Sequence, residues 1–150
     1  MFAKSSVMVH GLLRMRVALA GLAVAASVWL SIASAHHSFA GVYDSSRSVT
    51  LDGVVTEFLF VHPHPFLLIR VVPAGGPEES WRAEMDNRFE LADIGVTGRT
   101  FRPGDAVHVR GIPGRKEPHI LYLMKLERGS DGLIYEQVGT SPRIEWPRKK

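Results

Sequence analysis

Residues 80–95 read SWRAEMDNRFELADIG, and the change of period inside this stretch decides the fold class. From Ser80 to Asp86 the residues alternate. Trp81, Ala83 and Met85 fall on one face and Arg82, Glu84 and Asp86 on the other, which is the signature of a strand with one buried side. At Asn87 the alternation stops. Asn87 can cap a helix, Glu90 three residues later completes a capping box, and Gly95 supplies a left-handed stop. A helix of about two turns, around Phe89, Leu91, Ala92 and Ile94, is therefore expected.

Working outward, Val49 to Val61 reads as a first strand, with Val49, Leu51 and Val55 on one face and Thr50 and Asp52 on the other. Gly53 interrupts it and marks a bulge or sharp bend. His62-Pro63-His64-Pro65 is a connection, because two prolines remove ladder donors. Phe66 to Val72 is the second strand, followed by the turn Pro73-Ala74-Gly75-Gly76-Pro77. Beyond the helix, Arg102-Pro103-Gly104-Asp105 has the residues of a type II turn. Ala106 to Gly111 is the fourth strand, with Val107 and Val109 inward and His108 and Arg110 outward. Ile120 to Glu127 is the fifth, and Gly132 to Gln137 extends it after a Ser130-Asp131-Gly132 turn. Three strands, a short helix and two strands give an all-β chain with one short helix. That is the order of a small five-stranded OB-like Greek-key barrel, although other small sandwiches and open barrels share it. The barrel domain spans 49–138, an arm spans 36–48, and a disordered basic tail spans 139–150.

The chain has 150 residues, 45% hydrophobic and 22% charged, which suits one globular domain. It has no cysteine, which excludes disulfides, zinc thiolates, iron–sulfur clusters and a thiol nucleophile. The formal charge is +3, but Lys4, Arg14 and Arg16 all lie before residue 36, where there is no acid. Eighteen basic residues less these three leave 15 against 15 acidic ones, so the rest is neutral and nucleic acid is not an expected partner. Arg110, Arg115, Lys116, Lys125 and Arg128 could line a groove, with Tyr122 the main aromatic to stack a base.

Residues 1–35 read as a signal peptide. The three cations form its n-region, Val17 to Ile32 its apolar core, and Ala33-Ser34-Ala35 its cleavage site. The run is shorter than the roughly 20 residues of a membrane span. Cleavage after Ala35 implies a periplasmic or secreted protein, with no membrane partner after cleavage.

The chemistry lies in the histidines. Cleavage frees the α-amine of His36, whose pKa near 7.7–8.0 makes deprotonation cheap. Amine and ring then chelate a metal together, and His37 adds a second imidazole. Nitrogen ligands in a tetragonal set are what copper(II) prefers. His62-Pro63-His64 holds two more rings two residues apart on a stiff frame. The expected ligands are His36, His37 and His64, with His62 and His108 in reserve, while His119 is less informative. Binding or delivery is expected rather than catalysis. Ser38 beside two histidines makes no triad, Glu84 and Asp86 share their face with Arg82 as a solvated charge ladder, and no phosphate loop is present. An N-terminal histidine brace for oxidative chemistry would use the same amine and ring. The rival reading is a metal-free periplasmic adaptor or structural barrel that binds a protein or small ligand.

At Ala-His-His-Ser-Phe, the Val-Thr-Leu-Asp-Gly-Val-Val-Thr strand and the His-Pro-His loop, the chain resembles a domain-of-unknown-function family of small exported bacterial proteins. Their mature chains begin His-His-Ser-Phe. The resemblance covers roughly 35–137 and carries to His36, His37, Ser38, Phe39, Pro63, His64, Trp81, Pro103, Gly104 and Asp105. His62 stands where the family has Asn, and Pro65 where it has an aliphatic residue or Ala. The resemblance thus implies His64, rather than His62, as the shared ligand. It implies fold and export, and no particular activity.

Overall fold

A computed structural model describes residues 39–147. Residues 1–35, expected to be a signal peptide, lie outside the described residues with His36, His37 and Ser38, as do 148–150. Among the described residues, every strand lies in one compact unit, which begins at Gly41. Among the described residues no helix is long and apolar enough to cross a membrane.

The strands are β1 (Val49–Leu59), β2 (Phe66–Val71) and β3 (Glu79–Glu84), then the helix α1 (Arg88–Asp93), then β4 (Ala106–Pro113), β5 (Ile120–Arg128), β6 (Ile134–Val138) and β7 (Ser141–Glu145). They hydrogen-bond in the order β3-β2-β1-β4-β5-β6-β7. A parallel pairing of β3 with β5 (Arg82 with Ile120, Ala83 with Leu121, Glu84 with Tyr122) closes the first five into a barrel. The described residues are thus mostly strand, with the short helix α1 and a closed five-stranded barrel.

Closure requires β1 to serve two neighbours. Its first half, Val49 to Val54, pairs with β4, and its second half, Val54 to Leu59, with β2. The register breaks between Val55 and Glu57 rather than at Gly53. Gly53 has another role. A Cβ there would lie 2.6 Å from Ile69 Cγ2 and 2.7 Å from the Arg70 carbonyl oxygen, so the bent strand needs bare backbone against β2.

Alternation delivers the core. In β4, Val107 and Val109 are buried between exposed His108 and Arg110. Leu67 and Ile69 from β2, Ala83 from β3 and Leu121, Leu123 and Leu126 from β5 join them inside. α1 adds its one buried residue, Leu91. Its ends follow the sequence. The Asn87 side chain accepts from the backbone amides of Phe89 at 2.8 Å and Glu90 at 3.4 Å, and its own amide donates to Glu90 Oε1 at 3.4 Å. Gly95, at φ +88°, allows Val96 N to reach Leu91 O and Gly95 N to reach Ala92 O, both at 2.9 Å. Leu91 and Val96 are both buried, the apolar contact that accompanies such a stop.

Two expectations at the C-terminal side need correction. Residues after Gly132 do not extend β5; they turn back and pair with it, Leu126 opposite Tyr135. Gly132 at φ +75° makes the reversal, and Arg128 N donates to Leu133 O across it at 2.9 Å. Nor is the segment from Gly139 without structure, because Ser141–Glu145 is a strand beside β6. Gly139-Thr140 is a two-residue hairpin turn, with Gly139 at φ +62°. Buried Pro142 and half-buried Ile144 alternate with exposed Arg143 and Glu145, a pattern too short and too rich in Pro and Arg to read as a strand.

Gly53→Val should lower unfolding free energy by about 1–3 kcal/mol, the usual cost of overpacking. Gly98→Ala, whose new Cβ meets only Phe60 Cβ at 3.6 Å, should leave stability unchanged or slightly raised. Urea denaturation of both variants checks this.

Candidate functional site

The loop carrying His62 and His64 is fastened to the segment between β3 and α1. Met85 N donates to Pro65 O at 2.8 Å and Arg88 N to Pro63 O at 3.0 Å. The two rings nevertheless take different partners. His62 Nε2 lies 2.9 Å from Arg88 Nη1. A guanidinium can only donate, so this nitrogen accepts and its lone pair is engaged. The His62 ring also packs on Phe89, centroids 4.7 Å apart. His64 is the opposite case. Its Nδ1 lies 3.2 Å from the Met85 carbonyl oxygen, which can only accept. Nδ1 therefore carries the proton, and in the neutral ring the lone pair is on Nε2.

His108 is on β4, in register with Asp52 of β1 and Glu127 of β5. Its Nδ1 is 2.7 Å from Asp52 Oδ1. Among the described residues, no three His, Cys, Asp or Glu side chains gather as a metal site. His36 and His37 fall outside the described residues. Of the histidines singled out from the sequence, then, His62, His64 and His108 stand in three separate settings.

The expected solvated ladder of Arg82, Glu84 and Asp86 is not present. Arg82 pairs with Glu117 at 3.8 Å, whereas the two carboxylates are covered by other parts of the chain. Glu84 Oε2 accepts from the Tyr43 hydroxyl at 2.5 Å, and Glu84 Oε1 lies 3.9 Å from His64 Nδ1. Asp86 accepts from Gln137 Nε2 and from Asn87 N, both at 2.7 Å. Tyr135 donates in turn to Gln137 Oε1 at 3.0 Å. Tyr43 from the arm and Gln137 from β6 thus close over what the strand pattern presents as an outer face. The partnership of Asp86 with Gln137 spans 51 residues and has no local sequence signal.

These contacts fix the phenols in their protonated form. Burial, then the Glu84 hydrogen bond and charge, push the Tyr43 hydroxyl far above the ordinary tyrosine range. Burial, then Asp86, Glu84 and Glu90, do the same at Tyr122, whose ring is 5.7 Å from that of Tyr43. Tyr135 is raised by burial first, then by Tyr122 and Asp86.

The basic residues considered for a polyanion groove are divided. Arg128 Nη1 donates to Thr100 O at 2.6 Å and to Asp105 Oδ2 at 3.0 Å, while Nε and Nη2 grip Asp131 at 2.9 and 2.8 Å. It is a structural clamp. Lys125 pairs with Glu127 at 2.7 Å and Arg115 with Asp44 at 3.6 Å.

The chain has three tyrosines and all three are raised. A raised folded-state pKa means stability held below the unfolded value near 10 and lost as pH climbs above it. Unfolding free energy should therefore fall above about pH 10. Phenolate absorbance at 295 nm should appear together with loss of structure rather than before it, and tyrosines titrating freely in the folded protein would contradict this.

No curated protein and no solved structure matches the chain. A family profile matches residues 23–120, a span that starts inside the apolar run and stops at the first residue of β5. That is more than half of the sequence, and the chain belongs to the family of unknown function DUF6152.

Proposed function

We propose that this chain is an exported periplasmic protein that binds a transition metal, copper(II), through its mature N-terminal histidines. The ligands are the α-amine and ring of His36, the ring of His37 and Nε2 of His64. The observation that carries this reading is the His64 tautomer. A histidine that donates Nδ1–H to a backbone carbonyl keeps Nε2 as a fixed, basic ligand atom, the usual outer-shell arrangement of a metal-binding imidazole. His62 lacks this property, because its Nε2 is already accepting from Arg88. Five residues of chain lie between His37 and Tyr43, and Tyr43 donates to Glu84, the carboxylate that faces His64. The charged n-region, the apolar run and Ala33-Ser34-Ala35 support export. The circular order β1-β2-β3-β5-β4, with α1 between β3 and β4, supports reading the barrel as an OB-like Greek key. Binding or delivery fits better than turnover, because the half-buried carboxylates are all held by protein partners.

One observation favours the metal-free adaptor as a second reading. Trp146 is 47% exposed beside a groove where Ile94, Ile134 and Ile144 alternate with Glu136, Arg143 and Glu145, a mixed surface that a protein or small ligand could cover.

Copper(II) titration read by EPR, on protein shown by mass spectrometry to begin at His36, tests the metal reading. The expected result is a one-to-one, nitrogen-rich signal. It should change when one Gly precedes His36, and affinity should fall by about tenfold or more in His64→Ala. His62→Ala should bind as the parent does. Absence of stoichiometric binding, or identical spectra with and without the added Gly, would overturn it and leave the adaptor reading.

A further inference from the structure

A second site lies at the β4–β5 loop, away from the residues assigned to metal. A groove of about 320 Å³ is formed by Arg47 of the arm, Trp81 of β3 and the loop 114–119. Its volume is at the lower end of small-molecule sites. We propose that this groove binds an anionic saccharide of the uronate class, with the sugar ring on Trp81 and His119 and its carboxylates on Arg47 and Lys116.

Four observations carry the assignment. First, the aromatic shelf is fixed in advance. The Trp81 indole N–H donates to Glu79 Oε2 at 2.7 Å, and the same oxygen lies 3.6 Å from His119 Nε2, so one carboxylate fixes the indole and stands beside the imidazole. Second, His119 has φ +58°, the one left-handed non-glycine among the described residues. Such a conformation persists where the surroundings impose it, and it is concentrated at ligand clamps. Here Arg82 N donates to His119 O at 2.8 Å and Gly114 N to Ile120 O at 3.0 Å, which hold the loop in place. Third, the nearby charges are selectively paired. Arg115 faces Asp44 at 3.6 Å and Glu117 faces Arg82 at 3.8 Å. Arg47 and Lys116 have no carboxylate at ion-pair distance among the described residues, which leaves two cations over the groove.

Fourth, the ring geometry selects the ligand. The Trp81 and His119 centroids are 5.1 Å apart and the planes are inclined by 44°. The rings touch each other, so there is no parallel-walled slot for a flat base. They form instead an open, angled shelf, which suits the C–H face of a pyranose. A uronate adds the negative charge that the two unpaired cations need.

Isothermal titration of the purified, metal-free protein with tetragalacturonate tests the proposal. The expected result is saturable binding that is lost with the methyl-esterified tetramer. The Kd should rise at least tenfold in the Arg47→Glu, Lys116→Glu double variant, and severalfold in His119→Gly, which relieves the backbone but removes half the shelf. Both charge reversals are at exposed positions, and circular dichroism verifies that the variants fold. No binding, equal affinity in the double variant, or binding of tetrathymidylate as tight as that of the uronate would overturn the assignment. None of these outcomes bears on copper.

Discussion

The short parallel pairing between β3 and β5 is the constraint from which the rest of the molecule follows. Only three residue pairs make it, yet without it the seven strands would be an open sheet with two faces and one core too few. Meeting it forces β1 to curve between two partners, which in turn demands glycine at position 53 and a register break after Val55. Leu91 of α1 and Val96 and Phe101 after it complete the buried core. The pairing also positions two residues singled out above. His119 is the residue just before β5 and is fastened to Arg82 on β3, while Glu84, at the other end of the same pairing, holds Tyr43 beside His64.

Glu84 and Asp86 illustrate how position along a strand decides what a carboxylate does. Both leave the barrel on its outer side, as the alternation of Ser80 to Asp86 requires. Further layers then cover them: Tyr43 from the arm, and Gln137 from a strand beyond the barrel proper. Each added group brings a donor to the carboxylate it covers, so burial is accompanied by hydrogen bonds and no buried side-chain polar atom among the described residues lacks a partner.

The sequence reveals local structure well and its assembly poorly. Asn87, Glu90 and Gly95 gave the helix ends because capping is a matter of neighbouring residues. Alternation gave the inward set of β3 and β4 for the same reason. β7 was hidden because five residues containing Pro142 and Arg143 resemble a tail, and pairing with β6 overrides that weak local preference. At the candidate sites the limit is more severe. Residue type and spacing marked His62 and His64 equally, and only their partners, a guanidinium for one and a carbonyl for the other, distinguish them. His119 gave no signal beside Pro118, because a left-handed backbone and a tryptophan 38 residues earlier are invisible to local reading.

The hairpin formed by β6 and β7 has a consequence for life at high concentration. In a two-residue hairpin the flanking pair, here Val138 and Ser141, exchanges the hydrogen bonds, so the next residue directs its nitrogen away from the partner strand. That residue is Pro142, which has no hydrogen to offer. A strand arriving from another molecule would meet a missing donor at this position and the charged side chains of Arg143 and Glu145 on either side of Ile144. The end of the sheet is thereby a poor template for growth, and a chain with no disulfide to lock it gains some protection from aggregation.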